Sequence, residues 1–258
     1  MPVQPWPHAL GGLRALIGIA LCALLPLAVD YAGRHVPAAR IHPLLLVSAG
    51  TTAATLAYLV LVRAFEWRKV VELGLRPLPR ELGIGLATGA LTCAAITGGT
   101  AALAAWRGTS AGEVASIDAT LRAFVLSRQF AVVEEIAFRG LLLRWLLGRT
   151  TLARAVLIQA VVFGAAHFPQ GGLPHVALAT LMGLAFGYAF VWRHSLWTPI
   201  GIHMAWDVNA LLPASTIVDD SLADAAYAWL VVVAGSLAWL MRRWAVEWGP
   251  ATTMPRSP

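Results

Sequence analysis

Charged residues are sparse along this chain, and long apolar runs separate them. Uncharged stretches cover residues 15–29, extended to about 33, then 43–62, 83–106, 155–192 and 225–241. About 20 apolar residues span the roughly 30 Å hydrocarbon core of a bilayer at about 1.5 Å per residue, so each of the first three runs, the first as extended, is long enough for a crossing, and the others are read as spans with them. The run 155–192 is interrupted by FPQGGLP at 168–174, where Pro and Gly predict a break between two helices packed as a hairpin. Two further spans, 121–147 and 195–218, are predicted although they hold ionisable groups; Pro199 is placed to start the second. The expectation is an all-α, polytopic integral membrane protein of about eight transmembrane helices. Residues 1–258 form a single membrane domain, with 249–258 a short frayed tail.

Composition supports the pattern. The chain is 59% hydrophobic and 12% charged, against about 25% charged for a soluble domain. Arg14 precedes the first apolar run, but no A-x-A site follows before Asp30, so the run reads as a retained helix rather than a cleaved signal. Cys22 and Cys93 both fall in apolar runs and form no CxxC pair, which leaves the redox compartment unread. Gly85 with Gly89, and Gly183 with Gly187, are spaced for close helix packing.

The net charge of +6 reads as the positive-inside rule and not as a nucleic-acid face. With the N-terminus in the cytoplasm, Arg14, Arg63, Arg68, Lys69, Arg76, Arg80, Arg144, Arg149, Arg154, Arg193, Arg242, Arg243 and Arg256 fall inside. Arg34, Arg40, Arg107 and Arg122 fall outside, as does the acidic segment with Asp219, Asp220 and Asp224. An N-in, C-in topology follows.

The informative residues are the ionisable ones inside the spans. A charge at mid-bilayer costs at least about 2.5–3.5 kcal/mol, so such groups face partners or cavities. Counted from the flanking Arg144, Arg154 and Arg193, the residues Glu134, His167, His203 and Asp207 lie roughly 15–21 Å deep at about 1.5 Å per residue. Glu135 and Arg139 are spaced i,i+4 and can neutralise each other across one turn. Glu134 then points about 100° away, towards a shared cavity. A carboxylate beside His167 can hold and deprotonate water, and His203 with Asp207 can stabilise an oxyanion. Arg128 is a further candidate, as a partner for Glu135 or a lining residue. His8, His35, His42, His175 and His194 fall in tails or near span ends and are expected to be solvated.

Three motifs in order carry a resemblance. EEIAFRG matches an EExxxR pattern at Glu134, Glu135 and Arg139; FGAAH matches FxxxH at Phe163 and His167; HMAWD matches HxxxN/D at His203 and Asp207. Together they resemble the CAAX protease and bacteriocin-processing (CPBP) family of intramembrane glutamic endopeptidases, over about residues 120–212. The resemblance implies a helical membrane core and peptide hydrolysis with no cofactor and no metal. It assigns Glu134 as water activator, His167 as its partner, and His203 with Asp207 as the oxyanion pair. Glu135, Arg139 and Phe163 are supporting residues. The family's eukaryotic members carry Asn where this chain has Asp207, and an ionised Asp cannot donate a hydrogen bond.

Other chemistries use the same residue types. Glu and His also ligate zinc, although no HExxH is present. Intramembrane Glu/His sets also serve proton-coupled transporters or an immunity protein, but no inverted repeat with broken helices is visible. The expected partners are the lipid bilayer and a membrane protein or peptide substrate, the latter being matured or exported, with no nucleic acid. The enrichment in Ala, Leu and Arg hints at a GC-rich bacterium, and the expected location is its inner membrane. The sequence leaves the oligomeric state open.

Overall fold

The computed structural model describes residues 20, 43–66, 70, 78–108, 116–211 and 223–247. The described elements are all helical: α1 (Pro43–Glu66), α2 (Leu78–Trp106), α3 (Ile117–Glu135), a π-helical segment (Ile136–Leu143), α4 (Arg144–Leu147), α5 (Leu152–Ala166), α6 (Phe168–Arg193), α7 (Trp197–Leu211) and α8 (Ala223–Glu247). The all-α expectation holds for these residues. The first predicted span, the acidic pair Asp219 and Asp220, and the 249–258 tail lie outside them.

Three helices are long and apolar enough to cross a membrane by length and composition: Leu78–Trp106, Phe168–Arg193 and Ala223–Val246. That is fewer than the eight spans expected. Two of the missing spans have a plain reason: α3 carries Asp118, Arg122, Arg128, Glu134 and Glu135, and α5 has only 15 residues. Three helices of this length and composition among the described residues support an integral membrane protein.

Local signals set the boundaries. Ser116 caps α3 by accepting from the Ala119 N–H at 3.2 Å, and Thr151 caps α5 through the Arg154 N–H at 3.4 Å. The predicted break at 168–174 is present. Gly171 and Gly172 leave the helical region, and Gly172 adopts φ 64°, ψ −153°, a conformation open only to glycine. Pro174 then opens the regular part of α6, and α5 packs back against it.

The predicted 121–147 helix differs from the structure in one respect. It is not a uniform α-helix: beyond Glu135 the chain continues as the π-helical segment. Gly140 lies within that segment, and the Tyr58 ring packs where a Cβ would lie 3.2 Å away. The Tyr58 hydroxyl donates to the Gly140 carbonyl at 3.3 Å. Arg144, counted above as an inside-loop residue, is instead 2% exposed, with Nη1 3.4 Å from the Tyr58 hydroxyl. Its stem and head are packed in the bundle, so it is no anchor in solvent.

The small-residue pairs do pack closely. α2 lies on α7, where a Cβ on Gly89 would sit 2.9 Å from the Ile202 carbonyl oxygen, and one on Gly201 would sit 2.7 Å from the Leu82 carbonyl. On the other side of the bundle, Gly183 faces Ala160 and Gly187 faces Val156 and Gln159 of α5. Glu81, in the first turn of α2, forms a bidentate pair with Arg193 at the end of α6, at 2.6 and 2.7 Å. The Thr198 hydroxyl donates to the same carboxylate at 2.9 Å, which ties three helix ends together.

Candidate active site

The ends of α3 and α5, one face of α6 and the middle of α7 surround a cavity of about 250 Å³. Glu134, His167, His203 and Asp207, predicted from three separate helices, all line it. Arg128 is not among the lining residues.

The short motifs work through local helix geometry. At the end of α5 the His167 N–H turns to the Gly164 carbonyl, at 2.9 Å, which tightens the last turn. The Phe163 carbonyl is 2.8 Å from His167 Nδ1. A carbonyl only accepts, so Nδ1 carries the hydrogen, and Nε2 is left facing the cavity. That nitrogen is 3.6 Å from Glu134 Oε2. On α7, His203 Nε2 is 3.5 Å from Asp207 Oδ1, one turn on, and 3.8 Å from the same Glu134 oxygen. Glu134 Oε2 is buried, yet has no hydrogen-bond partner among the described residues.

The second glutamate does more than the i,i+4 spacing predicts. Glu135 Oε1 accepts from Arg139 Nη1 at 2.9 Å, both side chains being 0% exposed. It also accepts from His203 Nδ1 at 2.9 Å. Glu135 is therefore shared between the arginine and a histidine 68 positions away, and it orients the ring whose Nε2 faces the cavity.

Arg139 is fully buried and is engaged in three ways, although its Nε has no hydrogen-bond partner among the described residues. Besides Glu135, its Nη2 donates to the Gly183 carbonyl at 3.1 Å. Its guanidinium lies 4.5 Å from the Phe163 ring centroid and 5.1 Å from that of Phe186. Desolvated cation–π contacts of this kind are worth about 2 kcal/mol. Phe186 in turn stacks on His203, with centroids 4.6 Å apart and planes at 21°. Gln159 donates to the same Gly183 carbonyl at 2.8 Å.

Several site residues escape the sequence reading. Phe186 and Gln159 sit in plain apolar runs, and only the three-dimensional packing reveals them. The sequence places His175 near a span end, where it predicts a solvated side chain. Instead it is half-buried, lines the cavity and stacks on His167, with centroids 5.9 Å apart and planes at 16°. The helix break explains this, because it folds the start of α6 back over the end of α5. His194 is exposed, as expected.

Among the described residues, no three His, Cys, Asp or Glu side chains form a metal-ligating group. Against known families, residues 116–209 match the model described as type II CAAX prenyl endopeptidase Rce1-like. This segment is similar to the Rce1-like family. The match bears out the recognition drawn from the three motifs and spans all of them. No curated protein and no solved structure matches the chain. The Rce1-like family is a protease family, so the match supports a hydrolase, and the apolar helices support an integral membrane one.

Proposed function

We propose that this chain is an intramembrane endopeptidase that hydrolyses a peptide bond with water activated by Glu134 and His167. The observation that carries the reading is the orphaned Glu134 oxygen, buried in the cavity within 4 Å of two histidine Nε2 atoms, 3.6 Å in one case and 3.8 Å in the other. A buried polar atom without a partner costs about 1–3 kcal/mol, which a water molecule or substrate group offsets.

The steps follow from the geometry. Water held by Glu134 and His167 Nε2 gives a proton to Glu134 as its oxygen attacks the substrate carbonyl. The carbonyl oxygen gains negative charge opposite His203 and Asp207. His203 keeps one hydrogen on Glu135, so it meets the oxyanion through Nε2, which donates when the ring carries its second proton. The C–N bond then breaks, and Glu134 returns its proton to the leaving amine. Arg139, Phe163 and Phe186 hold His203 and Glu135 rigid. The substrate is a peptide or membrane protein that reaches the site within the bilayer, in keeping with a bacterial inner-membrane location.

The test is Glu134→Gln in purified protein, which preserves shape and removes the base. Peptide cleavage should fall about 10²–10⁴-fold, the usual loss for general-base removal. Thermal unfolding should be unchanged or raised, since a neutral amide is easier to bury. Cleavage at the parent rate would remove Glu134 from the mechanism.

A further inference from the structure

We infer that His175 is a substrate-binding residue that hydrogen-bonds a main-chain carbonyl of an extended peptide lying along α6. The inference rests on the proteolytic reading above and adds the peptide's path to it. His175, Leu178, Met182 and Phe186 recur on one face of α6, and all four line the cavity. The face begins at the helix break and ends beneath His203, on which Phe186 stacks. A peptide with its scissile carbonyl at Glu134 and His203 runs along this face towards His175.

Three observations fix the ring there. It lies parallel to His167. Gly171 makes room for it, since a Cβ at that position would come 2.9 Å from His175 Cβ. The Tyr227 hydroxyl donates to the Pro174 carbonyl at 2.6 Å, which ties the preceding residue to α8. Neither ring nitrogen of His175 has a hydrogen-bond or ion-pair partner among the described residues. A held imidazole facing a cavity with both nitrogens unused is a preorganised hydrogen-bonding group.

The distance selects the substrate group. His175 is 5.9 Å from His167, centroid to centroid. An extended chain advances about 3.3 Å per residue, so the ring lies about two residues along such a chain from His167, the partner of the attacking water. In an apolar cleft the backbone polar groups of a bound peptide need protein partners, because water is scarce there. Leu178 and Met182, on the same face of α6 between His175 and Phe186, provide an apolar wall for the intervening side chains.

The experiment compares the parent with His175→Phe, which keeps the flat ring and loses both nitrogens, and His175→Gln, which restores an N–H. The probe is a pool of short, internally quenched peptides in detergent micelles. One neutral hydrogen bond corresponds to about a three- to tenfold rise in KM for the Phe variant, with kcat little changed and Gln recovering most of the loss. His175→Ala replaces the Phe variant if the latter fails to fold. Unchanged KM, or a fall confined to kcat, overturns the inference. The same peptides, labelled but not quenched, are titrated onto each form in a Glu134→Gln background. If the parent cleaves nothing but the pool binds, the proteolytic reading falls, and equal affinity with and without His175 overturns this inference separately. A pool that neither binds nor is cleaved overturns both.

Discussion

Glu134 and Glu135 are neighbours in sequence with opposite surroundings, and the roughly 100° turn between them on the helix is the cause. Glu135 faces the bundle and meets Arg139 and His203 with no exposure. Removing one partner of a buried pair typically costs about 3–5 kcal/mol, because the other charge stays buried. Glu135→Gln should therefore lower the thermal unfolding midpoint markedly, whereas Glu134→Gln should not. Equal midpoints for the two variants would show that the Arg139 pair does not support the fold. Asp207 poses a different question. If it donates to the oxyanion it must be protonated, and activity fades as it ionises with rising pH. Asp207→Asn supplies a permanent N–H and should keep activity to higher pH. A lost oxyanion donor costs about 10²–10³ in rate. A folded Asn variant far below the parent at every pH would place Asp207 as an orienting carboxylate for His203.

The three site-bearing elements show what a linear reading captures. Phe163 with His167, Glu135 with Arg139, and His203 with Asp207 are each one turn apart, and local spacing reveals every pair. What spacing misses runs between elements: Glu135 to His203, Arg139 to the Gly183 carbonyl, and His175 over His167. These contacts depend on how helices cross and on the break at Gly171 and Gly172, and neither is encoded in a periodicity. The π-helical segment is a case of the same kind, since its Gly140 is read only once Tyr58 is seen against it. Helix crossing itself is partly legible, because glycines mark it. Gly201 is pressed against the α2 backbone, with a would-be Cβ 2.7 Å from both the Leu82 carbonyl and the Leu86 nitrogen. Gly201→Val must push α2 off α7, and overpacking of this kind costs about 1–3 kcal/mol or more. The variant should unfold at lower temperature and lose activity, because the same helix carries His203 and Asp207. Gly83→Ala, with nothing within 4 Å, is the matched control and should do neither.

Across the whole molecule the charges are partitioned, and this partition leads to the proposed orientation. The structure removes Arg144 from the set of anchoring cations, since it is buried against Tyr58. Arg193 is also engaged, by Glu81, though it remains at a helix end, 20% exposed. The remaining basic residues still favour one side, with Arg14, Arg63, Arg68, Lys69, Arg76, Arg80, Arg149, Arg154, Arg242, Arg243 and Arg256 outnumbering Arg34, Arg40, Arg107 and Arg122. Lys and Arg near span ends stay in the cytoplasm, and losing one from the count leaves the sign of the bias unchanged. The proposed orientation thus keeps the segment before α2 in the cytoplasm and puts the segment before α8 outside. A reporter that is active only in the cytoplasm, fused just after Leu78, should be active, and the same reporter near Asp220 should be silent. The bond between Glu81 and Arg193 adds an internal check, because it places the start of α2 and the end of α6 on one side of the bundle. A third fusion at His194 should therefore report the same side as the fusion at Leu78. Activity near Asp220 with silence at the other two sites would invert the orientation, and disagreement between Leu78 and His194 would contradict the packing itself.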